Sequence, residues 1–346
     1  MSEPSRRAQN PESGARRAER DRNEGEAGMV LRICCFALVL LCGQLQSGLA
    51  DENIPDKYPG SILYDKPRKV IDGVWSAIGA TAPPTYENAS HNNNLTFVIT
   101  GQGVVVVNAG ACYMLAEALH AHIKKITDQP VKFVILENGQ GHAMLGSNYW
   151  KEQGVPIIAH IDTAKEIDEH GLDVLDRMRN RIKEQADKSK VVAPDITFDK
   201  RHVIDLGGWR IEALNLGPTH SPGDTIVWLP KQKLVIAGDM AFHQRLLPIF
   251  DHTDTAGWIK TWDKFEALGA TVVIPGHGDP TTYPTVRKYT RDYLVYLRGK
   301  IRKLIDDGGT LQESYKVDQS PYKHLHTFNQ LAARNAGRVF VAMEFE

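Results

Sequence analysis

Side chains able to share a metal ion stand at four places in this chain: His142, His220, Asp239 and His277. Imidazole and carboxylate together suit zinc, and also iron or manganese. His220 lies in Gly217-Pro218-Thr219-His220-Ser221-Pro222-Gly223-Asp224, Asp239 in Ala237-Gly238-Asp239, and His277 in Ile274-Pro275-Gly276-His277-Gly278. These three phrases each follow or end an apolar, strand-like run, and His142 comes six residues after another. Loops at strand ends can bring such ligands to one point above a sheet edge. Two imidazoles and a carboxylate leave open positions on an ion, which could then acidify water to a pKa of about 7 and polarise a carbonyl. Glu137 adds a carboxylate that could take a proton from that water or serve as a further ligand.

The elements that must position these residues alternate along the chain. Residues 70–78, 95–100 and 103–108 read as strands, the last two joined by a Gly101-Gln102 turn. A helix over 114–126 puts Leu115, Leu119 and Ile123 on one face. A short strand at 131–136, a helix near 143–152 and a strand at 155–159 follow. Thr163-Ala164-Lys165-Glu166 reads as a capping box that opens a long helix to about Lys188. Its charged surface predicts a peripheral position. After a linker at 191–195 come strands at 201–205, 209–215, 225–229 and 234–237, a helix over 257–268 and a strand at 271–274. The helix after Thr282 carries Val286, Tyr289, Tyr293, Leu297, Ile301 and Leu304 at helical spacing, and stops at Gly308-Gly309. A short helix from Thr310 and a last one from Thr327 complete the pattern. Without a Pro- or Ser-rich break, this alternation implies one domain with two sheet halves.

With 42 % hydrophobic and 24 % charged residues in 346, the balance is that of a globular protein. Residues 1–28 stand apart, arginine-rich with little to bury, and read as a disordered or over-extended start. Met29 to Ala50 combine Arg32, a short apolar run and the small residues Gly48 and Ala50, the pattern of a signal peptide. The run is too short to span a bilayer comfortably. Export to the periplasm or beyond is therefore expected, with no stable membrane insertion after cleavage. Cys34, Cys35 and Cys42 fall in this segment, so Cys112 alone remains, expected as a buried small hydrophobe. Seven basic and six acidic side chains lie in the first fifty residues, leaving 34 against 36 beyond them. That balance gives no footprint for nucleic acid or an anionic membrane; a small-molecule substrate is the partner expected.

The order Asn108-Ala109-Gly110, Glu137 to His142, Thr219-His220-Ser221-Pro222-Gly223-Asp224, Gly238-Asp239 and Pro275-Gly276-His277-Gly278 resembles the metallo-β-lactamase superfamily. The overall look is similar to exported members associated with sulfur oxidation or quinoprotein systems. The resemblance implies an α/β fold of the αβ/βα four-layer sandwich type over 68–280. A lead-in at 51–67 and C-terminal helices at 281–346, packed on the same domain, would flank it. By the same resemblance His220 would bind a first metal, His142 and His277 a second, and Asp239 both. The usual second motif supplies His, His, Asp and His, whereas here those positions read Glu137, Gly139, Gly141 and His142. The usual acid closing the first motif is Asn108. One Zn2+ per chain at His142, Asp239 and His277, with His220 beside it, is the economical expectation; iron or manganese could also bind. Glu137, Asp239 and His220 are then the candidate catalytic residues. The reaction implied is metal-dependent hydrolysis of a small carbonyl, ester, thioester or lactone. Two alternatives stand beside it: a catalytically silent binding protein, and an iron-dependent oxidase of sulfur compounds. Glu137 separates the first two by whether its carboxylate faces the metal or solvent.

Other histidines carry blander expectations. His243 and His252 flank the opening, His91 belongs to turn chemistry beside Asn92-Asn93-Asn94, and His160, His170, His324 and His326 read as structural or surface residues.

Overall fold

The computed structural model describes residues 61–346. The expected start at 1–28, the signal peptide at 29–50, three of the four cysteines and most of the lead-in lie outside the described residues.

Two sheets carry the fold. The first runs in chain order from β1 (Arg68–Ile71), β2 (Val74–Ala77), β3 (Leu95–Ile99) and β4 (Val104–Val107) to β5 (Val131–Ile135), β6 (Ile157–His160) and β7 (Ile196–Phe198). Strands β1 to β4 pair antiparallel and β4 to β7 parallel. The second sheet contains β8 (Arg201–Leu206), β9 (Trp209–Leu214), β10 (Ile226–Leu229), β11 (Leu234–Phe242) and β12 (Val272–His277), in the order β12-β11-β10-β9-β8. Only β11 and β12 pair parallel there.

Three apolar layers follow from this arrangement. Val98, Val105 and Val107 of the first sheet meet Ile211, Val227, Ile236 and Ile274 of the second between the sheets. Phe97, Val104 and Val106 pack outward on Leu115, Leu119 and Trp150 of the first helices. Val235 and Val273 pack outward on Trp258, Trp262, Tyr293 and Phe340 of the later ones. Helix, sheet, sheet, helix is the four-layer sandwich expected from the sequence. Strands β4 and β11 are buried along their whole length, which is why they read as continuous apolar runs instead of alternating ones.

Local readings changed where tertiary contacts overrode the sequence pattern. The strand expected over 70–78 is two, β1 and β2, turned at Gly73 with φ +80°. The helix after Thr282 breaks at Thr290 into Tyr283–Tyr289 and Arg291–Asp306. There the Thr290 hydroxyl accepts from Phe242 N at 2.8 Å, tying the break to the end of β11. The capping box at Thr163 and Glu166 does not form. The helix starts earlier, as Ile161–Ile182, capped by His160, whose Nδ1 accepts from Asp162 N at 3.1 Å. Thr163 instead donates to Gly223 O at 3.0 Å, tying this helix to the His220 loop. The helix is not peripheral: Glu166, Val174, Arg177, Met178 and Arg181 line the main cavity. Among the described residues no helix is long and apolar enough to cross a membrane.

Candidate metal centre

Glu137 leaves the end of β5, and His142 lies on the short helix Gly141–Met144 that follows. Asp239 sits within β11, one residue after a register shift, and His277 ends β12. Gly238, with φ +53°, permits the approach of these strands. A Cβ there would stand 2.2 Å from Glu137 Oε2, so any side chain would displace that carboxylate. His220 is set by a turn built around Asp224, which accepts from Ser221 N at 2.8 Å, from Ser221 Oγ at 2.5 Å and from the Thr219 hydroxyl.

Glu137, His142 and Asp239 offer ligand atoms all within 4.8 Å of one another. His142 Nε2 is 2.9 Å from Glu137 Oε1 and 3.5 Å from Asp239 Oδ2. His277 Nε2 touches the other oxygen, Asp239 Oδ1, at 3.2 Å. Its Nδ1 donates to the Asn92 carbonyl, which leaves Nε2 with a lone pair facing a carboxylate oxygen. Two acceptors at that distance call for a positive charge between or beside them. Glu137 Oε2, Asp239 Oδ1 and His220 Nε2 are buried without a hydrogen-bond partner among the described residues. A divalent cation fits this donor set by charge and by ligand type. Glu137, His142 and Asp239 are the residues placed to hold it, with His277 against the other oxygen of Asp239. His220 stands beside them, stacked on Phe242 and edge-on to Trp258, with Gln140 at 3.0 Å from its Nδ1.

The electrostatics follow from burial. Burial raises the Glu137 carboxyl above its ordinary range, and the neighbouring Asp239 raises it further, while His142 and Asn108 oppose. Burial would also raise Asp239, but His142, His220 and His277 outweigh it and hold that carboxyl well below the ordinary value. Burial lowers His220 and His277 to about 4, so both imidazoles are neutral and ready as ligands at neutral pH. His142 is raised: burial opposes its charge, but Asp239 and Glu137 together prevail.

Asn108, the residue in place of the usual acid, keeps φ +70° and accepts from Glu137 N at 3.1 Å. Asn138 donates to Asp239 Oδ2 at 3.2 Å and to Asp224 Oδ1 at 3.3 Å, joining the two acids. The Asn92-Asn93-Asn94 stretch does more than turn. Asn94 donates to the Pro275 and Gly278 carbonyls, both at 2.8 Å, and so clamps the loop that carries His277. His91 is buried and accepts from Tyr64 N at 2.9 Å. Of the flanking histidines, His243 donates to Asp279 O at 2.8 Å, whereas His252 lines the cavity. Cys112 is buried, its thiol pushed up to about 11 by burial, as a small hydrophobe in this position would be.

Two residues that matter here were not anticipated. Glu166 reaches from the Ile161–Ile182 helix, and a Cβ on Gly139 would meet its Oε2 at 2.7 Å. A Cβ on Gly141 would meet Val174 at 3.0 Å and Met178 at 3.1 Å. The helix thus occupies the space next to the two positions where ligand side chains are missing. Arg245, 5 % exposed, lies with Nη1 3.3 Å from His277 Nδ1. Burial lowers its guanidinium to about 10, against the pull of Asp239. No local pattern marks either residue; only the packing of distant segments reveals them.

A family model for the metallo-β-lactamase superfamily matches residues 142–277, beginning and ending on two of these histidines. A type 2 metallo-β-lactamase of Bacteroides fragilis is 24 % identical over 237 residues, covering 64 % of this chain and 86 % of that protein. A linear primary-alkylsulfatase of a Pseudomonas species is 25 % identical over 136 residues, 36 % of this chain and 25 % of the relative. Among solved structures, the stereoselective inverting sec-alkylsulfatase from Pseudomonas sp. shares the fold with a TM-score of 0.64 and 17 % identity, over 84 % of this chain and 54 % of that one. The chain thus spans only part of either alkylsulfatase. The four-layer fold, the ordered ligand phrases and the family match define a metal-binding α/β sandwich. Over the stretch that carries the ligand phrases, the chain is similar to the metallo-β-lactamase superfamily.

Proposed function

We propose that this chain is a metal-dependent hydrolase of a small ester, thioester, lactone or related carbonyl compound, working through one zinc ion. The relatives are a lactamase and alkylsulfatases by name, and the donor set suits a divalent ion. The observation that carries the reading is the placement of Glu137. It is 1 % exposed, held on His142 through Oε1, with Oε2 buried and unpartnered. A silent binding protein has no need of a second buried carboxylate beside Asp239, which costs stability unless a cation or a proton neutralises it.

Bound zinc would acidify water and polarise the group under attack. Glu137 Oε2 is the atom able to accept the proton of the attacking water, and the raised pKa of its carboxyl suits a base that must later release that proton. His220 Nε2, buried and without a protein partner, is placed to orient substrate beside the cluster. Phe250 and Pro248 add apolar surface to the cavity wall beside it.

Metal content of the purified protein, read by mass spectrometry without added metal or chelator, tests this. One equivalent of zinc is expected, lost in His277→Ala and largely retained in His220→Ala. Iron would redirect the search to oxygen-dependent sulfur chemistry. No metal after reconstitution with zinc would leave only the binding protein.

A further inference from the structure

Beside the metal cluster opens a cavity of about 570 Å³. Its walls have a charge character that the whole chain, with a net charge of −1, does not share. Four arginines line it, Arg177, Arg181, Arg245 and Arg334, against two carboxylates, Glu166 and Asp239. The Ile161–Ile182 helix contributes Val174, Arg177, Met178 and Arg181, one stripe at helical spacing. The Phe328–Met343 helix contributes Gln330, Leu331 and Arg334 in the same manner. Each stripe sets apolar side chains next to a guanidinium.

These guanidinium groups differ from the others in the molecule. Thirteen arginines lie in the described residues, and eight of them form ion pairs with carboxylates: Arg68, Arg179, Arg201, Arg210, Arg287, Arg298, Arg302 and Arg338. Five do not, and four of those five are the cavity arginines; Arg291 is the fifth. Four of the five arginines without a carboxylate partner among the described residues are therefore gathered at one place. Arg177, Arg181 and Arg334 are exposed at the rim, while Arg245 is buried near His277 with its Nε unpartnered. Uncompensated guanidinium groups with apolar neighbours form a receptor for an oxyanion on an apolar body, because the fork of N–H donors bonds a carboxylate or sulfate through two oxygens. Their field, focused by the cavity walls, would also draw such a molecule in.

We infer that the substrate is an organic anion: its reacting group meets the metal cluster while a carboxylate or similar oxyanion elsewhere on the molecule is received by Arg181 and Arg334 at the rim. The inference rests on the hydrolase reading for the reacting end, and on the arginines alone for the anionic end.

Two measurements separate these dependences. The first compares kcat/KM for mono-4-nitrophenyl glutarate, which carries a free carboxylate, with that for the neutral 4-nitrophenyl butyrate. The anionic ester should be preferred, and the ratio should fall roughly 10- to 100-fold in Arg181→Ala/Arg334→Ala, the range expected for losing hydrogen bonds between charged groups. Arg291→Ala, an unpaired arginine that does not line the cavity, should leave the ratio as it is. The second titrates glutarate into the protein by calorimetry, with and without zinc. Binding should weaken tenfold or more in the same double variant and weaken with added salt. Arginine-dependent glutarate binding without cleavage of either ester would uphold the anion site and count against the hydrolase. Cleavage of both esters at a ratio indifferent to the double variant would overturn the anion site and leave the hydrolase standing. Glutarate binding that is absent, or unchanged in the double variant, would equally overturn the anion site.

Discussion

At the residue scale the chemistry turns on one carboxylate with two differently employed oxygens. Glu137 Oε1 holds His142, and Oε2 faces the cluster without a partner. Glu137→Gln keeps the shape and the contact with His142 but removes the negative charge and the basic oxygen. Turnover should fall by about 10²–10⁴, the contribution of a positioned proton acceptor. Zinc content should fall less, because His142, Asp239 and His277 remain. A variant with unchanged kcat and unchanged metal content would remove Glu137 from the mechanism. Asn108 bears on the same carboxylate by accepting from the Glu137 amide, so its replacement of the usual acid is accommodated without a further buried charge.

At the scale of elements, the Ile161–Ile182 helix explains how the site tolerates missing ligands. Its Glu166, Val174 and Met178 lie where side chains at 139 and 141 would point. Restoring an acid with Gly141→Asp would press a carboxylate against Val174, Met178 and Leu145, all within 3.3 Å of the new Cβ. The expected cost is about 1–3 kcal/mol, from overpacking and from desolvating a polar group. It should appear as a lowered Tm with no second equivalent of metal, and Met178→Ala added to it should recover part of the loss. A variant as stable as the parent that gains a second metal would show that the helix does not exclude it. The same helix marks the boundary of what the sequence could tell. Strands and ligand phrases were legible because their signals are local: apolar runs ending in Gly-Asp or Pro-Gly-His. The helix looked peripheral because Arg177, Arg181 and Glu166 resemble a solvated face. Thr163 and Glu166 also matched a capping box, although both side chains are spent on distant backbone and cavity contacts. Polar residues that face a cavity cannot be told from polar residues that face water until the opposite wall is known.

At the scale of the whole molecule, the metal cluster joins the two sheets. Glu137 and His142 come from the first, and Asp239, His277 and the neighbouring His220 from the second. A cation shared by both halves binds only the folded chain. At a hundredfold excess over Kd it contributes about 2.7 kcal/mol, roughly 4 °C in Tm for a protein of this size. The increment should depend on pH with a definite sign. Glu137 and His142 both have raised pKa values in the metal-free fold. His142 therefore contributes stability to the metal-free protein that is fully present below its ordinary value of about 6.5 and is lost as pH rises through the higher folded value. Zinc must displace the same proton, so its affinity rises over that window. His220 and His277, lowered to about 4, have already released their protons and add nothing there. The gap in Tm between zinc-loaded and chelator-treated protein should accordingly widen from about pH 6.5 to pH 8. Thermal melts at matched ionic strength would measure it. A gap that stays constant or narrows with rising pH would mean that the proton on His142 and the metal do not compete for one place. In that case the ion, if bound, is held elsewhere than between Glu137 and Asp239.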